Sequence, residues 1–472
     1  MTSPERSAAA SIDAATAAKT ARRALPWGLV LLAAAGTFGL TLGTRQSMGL
    51  FLGDLNTATG LGLGSISLAF AFGQLAWGLT QPFAGAVADR HGAGRVLTAG
   101  LTLIALGTLI TPYMTSTLGL ILAMGLLSAG GAGMAGPAVL MAATTRLVPA
   151  DRQGLATGIV NAGGSLGQFV IAPIAGALIL GLGWVGAMQT LGLLVLLALP
   201  AAWVLRGAPQ LSEPSPVTAA VTAPVTAPAA TSAASPATVA NDQAAANAPT
   251  RPTPASLMST PAGAPRPVAA TARLALRQAL QDRNYRLLSA GFFVCGFHVA
   301  FLATHLPGVV ASCGLPLTYA AWSLAVLGLF NIVGSLAMGW SMGRWRMKSL
   351  LSLVYAARAV AVLVFLLAPK TGTVVLVFAA VMGLTFLSTV PPTAGLVAKF
   401  FGTRHMAMLF GVVMLSHQVG GFLGAWLGGQ VFEATGSYNL VWMIDIALAV
   451  GAALVHLPIQ EAPVPRPAAS AA

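Results

Sequence analysis

Twelve apolar runs of roughly 20 residues or more punctuate this chain, each long enough to cross about 30 Å of hydrocarbon as a helix. They occupy 27–52, 63–86, 95–113, 118–145, 154–180 and 184–205, then 287–311, 318–342, 349–368, 373–398, 406–431 and 438–458. Only 7% of the 472 residues are charged, against about 25% in soluble domains, so a water-soluble fold is excluded. The runs are continuous rather than alternating, which disfavours a membrane β-barrel. The expected fold class is an all-α membrane protein with twelve transmembrane helices in two six-helix bundles, 27–206 and 286–458.

The segments between the runs have a different composition. A polar, Ala-rich tail covers 1–26 and ends near Arg22 and Arg23. The run after it is too long for a signal-peptide core and is expected to remain as an anchor. Residues 207–285 form a linker, dominated up to 272 by Ala, Pro, Thr and Ser. Such a stretch cannot bury a core and is expected to be disordered. Its last part, 273–285, is a candidate short helix on the membrane surface, and a second tail covers 459–472. Cys295 lies inside run 7 and Cys313 at its outer end, about 27 Å apart by helical rise, too far for a disulfide.

The formal charge of +13 encodes orientation rather than a nucleic-acid partner. With the first tail inside, 21 of the 24 Lys and Arg fall in the tails, the linker and the inner loops, among them Arg146, Arg152, Arg344, Arg346, Lys348, Lys399 and Arg404. Lys370 alone falls outside, while Arg45 and Arg358 lie within runs. This bias places both termini in the cytoplasm. The preference for Arg over Lys (20 to 4) and the high Ala content suggest a GC-rich bacterial source, hence a multi-pass protein of the plasma (inner) membrane.

The two sets of runs look like copies. An offset of 254 places Pro137 on Pro391 and Gly85 on Gly339, and an offset of 253 places Gly158 and Gly167 on Gly411 and Gly420. Parallel six-helix repeats around a midplane cavity are a transporter architecture. Pro within a spanning helix frees backbone carbonyls and permits bending.

After run 2 stands Gly85-Ala-Val-Ala-Asp89-Arg90-His91-Gly92-Ala-Gly-Arg95, which resembles the signature loop of the major facilitator superfamily. The resemblance implies a gating loop of Gly85, Asp89, Arg90, Gly92 and Arg95. In it Gly85 lets helices approach, Gly92 turns the chain, and Asp89 sits near the positive end of a helix from the other half, such as run 11. In the second half the equivalent loop has Gly343 where the Asp stands. Arg152-Gln-Gly-Leu155-Ala156-Thr-Gly158-Ile-Val-Asn161-Ala162-Gly163, Phe401-Gly402 and Ala434-Thr-Gly436-Ser437-Tyr438 resemble the monocarboxylate transporter and oxalate–formate antiporter branch. Run 8 departs from that branch, since it holds no Arg or Lys.

Ionisable groups inside lipid are costly and functional or paired. Here they are Arg45, His298, His305, Arg358, His417 and Asp445. Thr37, Thr41 and Arg45 recur every four residues and form one stripe on run 1; either Arg45 faces the cavity and suits an anion, or it snorkels to the surface. His298 falls opposite Arg45 in the repeat comparison, and His417 lies beside Gly420 on run 11. The expected substrate-binding residues are therefore Arg45, Thr41, His298 and His417. Arg358 and Asp445 form either a structural ion pair or a proton-coupling site.

Gly163-Gly-Ser165-Leu-Gly167 matches a nucleophile elbow, but no strand precedes it. No P-loop or metal-ligand spacing occurs, so no enzyme activity, cofactor or metal is expected. The reading is a secondary active transporter, monomeric as a functional unit, moving a small organic anion such as a monocarboxylate. Its driving force would be a proton or an exchanged solute. Efflux of amphipathic drugs is the alternative transport reading, and a membrane sensor or scaffold is the reading from another class.

Overall fold

A computed structural model of the chain describes residues 26–149, 152–206, 272–402 and 406–464. Expectations for the first tail, Arg22, Arg23, Arg404, linker residues 207–271 and the end of the second tail lie outside these residues.

Every regular element among the described residues is helical, as backbone in hydrocarbon requires. Eleven continuous stretches are long and apolar enough to span a bilayer. Ten are spans 1 to 4 (Trp27–Thr59, Leu63–His91, Ala93–Tyr113, Thr117–Leu147) and 7 to 12 (Arg283–Ser312, Leu317–Met342, Met347–Leu367, Gly372–Phe401, Met408–Thr435, Asn439–His456). The eleventh, Leu155–Val204, has 50 residues and would measure about 75 Å as one rod. It breaks at Gly183, where φ is 70° and ψ 167°, a left-handed backbone that glycine tolerates without strain. Its two arms, called spans 5 and 6, fall where runs 5 and 6 were expected. Large apolar side chains remain exposed along many spans, with Leu336 and Phe83 both at 71%. Such a surface suits lipid rather than water.

The two halves cross their helices in the same way. A Cβ on Gly167 of span 5 would collide with the Gly39 carbonyl of span 1, and one on Gly420 of span 11 with the Phe293 carbonyl of span 7. Backbone-to-backbone approach of this kind replaces the hydrophobic drive that lipid cannot supply. Spans 4 and 10 are both interrupted. Span 4 passes through a π-helix, Ile121–Ser128, and leaves helical geometry at Ala135 and Gly136, just before Pro137. Span 10 stops at Thr385, runs irregularly through 386–389, and resumes at Val390 with Pro391 and Pro392 in its first turn. Proline supplies no N–H to the preceding turn, so both breaks occur where the repeated prolines stand.

A short helix, Ala272–Gln281, precedes span 7. The Asp282 carboxylate accepts the Tyr285 N–H at 2.8 Å and starts span 7 at Arg283. After span 12 the chain straps across its own bundle. The Lys348 N–H and the Lys399 ammonium both donate to Glu461 at 2.9 Å, and Val464 donates to the Phe400 carbonyl. Burial pushes the Glu461 carboxyl up, but the Lys348 amide and the Lys399 charge outweigh it and hold the group below its usual range.

Candidate substrate cavity and buried charge cluster

Arg45 lies in span 1 just before the α-helix gives way to a 3₁₀ turn at Met48–Phe51. Its side chain turns inward. The guanidinium donates to Gln74 Oε1 at 2.5 Å and to Gln46 Oε1 at 3.3 Å, and lies 4.8 Å from the Trp77 ring centroid. Arg45, Gln46, Gln74, Phe70, Ser128 and Thr304 are among the residues lining a small cavity between spans 1, 2, 4 and 7. The centre of a water-sized sphere has about 30 Å³ in which to move there, enough for water or a very small solute. None of the ion pairs among the described residues engages Arg45. The cavity thus carries one positive charge with only amides and a ring beside it.

The other residues expected beside Arg45 lie elsewhere. Thr41 is buried and its hydroxyl donates back to the Phe38 carbonyl at 3.3 Å; it does not line the cavity. Thr37 likewise bonds the Ala33 carbonyl, so the threonine stripe satisfies its own helix. His417 packs its ring 4.9 Å from Phe292, away from the cavity lining. His305 holds the Ala425 carbonyl at 2.7 Å between spans 7 and 11. Gln74, Trp77 and Thr304 went unnoticed in the sequence because none is charged. Gln74 and Trp77 do stand three apart on one face of an apolar helix, a signal that was there to be read.

His298 belongs to a different site. Its Nε2 is 3.1 Å from Asp445 Oδ1 and 3.2 Å from the Asp445 carbonyl, and its Nδ1 is 3.3 Å from Arg358 Nη1. The expected direct Arg358–Asp445 pair is thereby replaced by a line of three residues, from spans 9, 7 and 12, each buried to about 1% exposure. Arg358 Nη2 donates to the carbonyls of Thr385 and, at 2.9 Å, Phe386. These are the groups that the break in span 10 sets free.

The two ends of the bundles differ. At one end Glu433 of span 11 accepts the Gly64 N–H of span 2, and Gly49 of span 1 abuts the Ala303 and Thr304 carbonyls of span 7. At the other end lies the loop after span 2. Gly92 turns it at φ 89°, and Asp89 pairs with Arg146 at the end of span 4. Asp89 thus has a partner in its own half, where a helix end from the other half was expected. Arg90 and Arg95 are exposed. A Cβ added at Gly85, expected to permit helix approach, would meet nothing within 4 Å, and one at Gly158 or Gly411 would likewise face open space.

Comparison with known proteins agrees with the fold. The family model described as Major Facilitator Superfamily matches residues 30–425. The chain belongs to that superfamily. It is a multi-pass membrane transporter with the expected fold. Monocarboxylate transporter 11 of Mus musculus is 24% identical over 445 residues, covering 92% of this transporter and 88% of that one. "Uncharacterized MFS-type transporter YcxA" of Bacillus subtilis (strain 168) is 27% identical over 183 residues, 38% of this chain and 44% of that protein. Among solved structures, a point mutant of the nucleoside transporter NupG superposes with a TM-score of 0.69 at 13% identity, covering 92% of this chain and 99% of that one. At that identity the likeness speaks for the fold alone.

Proposed function

We propose that this transporter moves a small organic anion, a monocarboxylate, by alternating access, with a proton or an exchanged solute as the driving partner. The observation that carries the reading is Arg45: a cation in a membrane-embedded cavity, held by two amides and a Trp ring, with no carboxylate paired to it among the described residues. A guanidinium offers five donors in a planar fork that matches a carboxylate. Two of its bonds go to Gln46 and Gln74, which hold the fork while leaving charge for an anion. The likeness to a monocarboxylate transporter over nine-tenths of the chain supports the same class.

The mechanism follows from the two unlike ends. In the proposed cycle the Glu433 end is drawn together in this arrangement, and the Asp89 end, which the charge bias puts in the cytoplasm, is the one that would open to the cavity. Anion binding at Arg45 would favour whichever arrangement brings more donors to it, and release follows when the bundles roll the other way. The working unit is one chain in the plasma membrane with both termini cytoplasmic. The small cavity beside Arg45 favours a compact anion over a bulky amphipathic drug.

The test is uptake by purified protein in liposomes, using labelled lactate, pyruvate, formate and oxalate with and without a proton gradient. Gradient-driven uptake that Arg45→Gln loses, with the variant still folded, is the expected result. No uptake of any of the four acids by folded wild-type protein overturns the monocarboxylate reading.

A further inference from the structure

We propose that Asp445 and His298 form a proton-binding site that governs how Arg358 holds the break in span 10. The inference deepens the proposed proton coupling and rests on it for its biological use, but its physical content stands apart from any cargo.

The geometry fixes the protons. Arg358 Nη1 can only donate, so His298 Nδ1, 3.3 Å away, must accept and carries no hydrogen. The imidazole proton therefore sits on Nε2, facing Asp445, where the backbone carbonyl lies at 3.2 Å. His298 is neutral in this arrangement. Asp445 Oδ1 lies 3.1 Å from the same Nε2 but is not aligned to take its hydrogen bond, and Oδ2 has no donor among the described residues, although both oxygens are buried. A buried carboxylate without donors is costly when ionised, and one proton removes that cost.

What the proton changes is the balance of forces on Arg358. With Asp445 protonated, the guanidinium has no anion to seek and rests on the Thr385 and Phe386 carbonyls, as the structure places it. When Asp445 loses its proton, the nearest negative charge lies on the far side of His298 and draws Arg358 off those carbonyls. The break at 386–389 then loses its clamp. That break also reaches the other bundle. The Leu387 N–H donates to Asn331 Oδ1 at 3.1 Å, and Asn331 Nδ2 donates to Ser165 of span 5 at 2.9 Å. Movement of the break is thus transmitted directly to an inter-bundle contact.

The remaining titratable groups around the site are accounted for. On span 7 the Cys295 thiol lies 3.0 Å from the Thr389 hydroxyl and 3.9 Å from Arg358 Nη2. From span 9, Tyr355 lies under Arg358 and donates its hydroxyl proton to the Gly291 carbonyl. His417 faces Phe292 and the Cys295 thiol from span 11, and His456 of span 12 stacks on Tyr355 while its Nδ1 lies 2.7 Å from the Ala452 carbonyl. Span 10 presents only hydroxyls and carbonyls. Asp445 is the one carboxyl in this group.

The experiment uses full-length protein in lipid nanodiscs without substrate. Infrared difference spectra between acidic and alkaline pH are expected to show a carboxylic-acid C=O band that Asp445→Asn lacks and whose midpoint His298→Gln moves by about one pH unit or more. Hydrogen exchange at the amides of 386–390, corrected for intrinsic rates, is expected to be roughly tenfold faster in the alkaline wild type and equally slow at both pH values in Asp445→Asn. Difference spectra in which Asp445→Asn loses no band that the wild type shows, or wild-type exchange at the break that does not change with pH, overturn the proposal. If Asp445→Asn does not fold, wild-type exchange and the His298→Gln midpoint decide alone. Failure of anion uptake in liposomes would sink the cargo assignment without altering either readout.

Discussion

The carboxylate of Glu433 in span 11 accepts the backbone N–H of Gly64 in span 2 at 2.6 Å, joining residues 369 positions apart in the chain. Gly64 is the second residue of its helix, and the N-cap Gly62 offers no side-chain bond of its own. The other bundle supplies the missing cap, and a negative charge meets the positive end of the helix.

Glu433→Gln keeps an acceptor but removes the charge. The interaction of an exposed carboxylate with a helix end amounts to about 0.3–1 kcal/mol. Closure at this end should therefore weaken by about two- to five-fold in population. Spin labels at Ala58 and Ala434, both exposed beside the contact, would show a larger long-distance fraction in the variant. Identical distance distributions would mean that the contact does not contribute to closure.

The crossing glycines predict a matched contrast. Gly167→Ala and Gly420→Ala each drive a methyl into a carbonyl of the neighbouring span, and overpacking of this kind costs about 1–3 kcal/mol. Gly158→Ala and Gly411→Ala meet nothing within 4 Å and gain helix propensity of up to about 1 kcal/mol. Thermal unfolding in detergent should fall for the first pair and hold or rise for the second. Equal losses in all four would refute the crossing geometry.

Glu461 sets a pH dependence outside the membrane. Its folded carboxyl is held below the usual range, so the folded state binds its proton less readily than the unfolded chain. The stabilisation is present above the ordinary carboxylate pKa and is lost as pH falls through the lower, folded value. The stability difference between wild type and Glu461→Gln should therefore be seen at neutral pH and vanish in acid. A difference that persists in acid would assign the effect to packing.

Much of this was legible from the sequence for identifiable reasons. Apolar length marked the spans because lipid leaves the backbone few alternatives, and Pro137 and Pro391 marked the breaks because a missing N–H acts locally. Span 1 ran past its expected end at 52 to Thr59 because Asp54 and Asn56 sit on a helical extension beyond the apolar run. The site was harder to read. His298 matches Arg45 in the repeat, but equal position along two helices does not bring two side chains to one cavity. Span 7 reaches the Arg45 cavity with Ala303 and Thr304, while His298 points to spans 9 and 12. Gln74 and Asn331 were passed over because an amide leaves no mark on a search for charge.

The glycine crossings leave the transporter a stiff pivot. Where Gly39 meets Gly167 and Phe293 meets Gly420, backbones touch, so neither helix pair can slide along itself. Each pair is then a lever with arms of about 15 Å, half the hydrocarbon thickness. A tilt of about 10° at the pivot swings a helix end by roughly 3 Å over such an arm. Opposed tilts of the two pairs would double that opening at one mouth while closing the other, so a wide change of access needs only a slight roll at the centre.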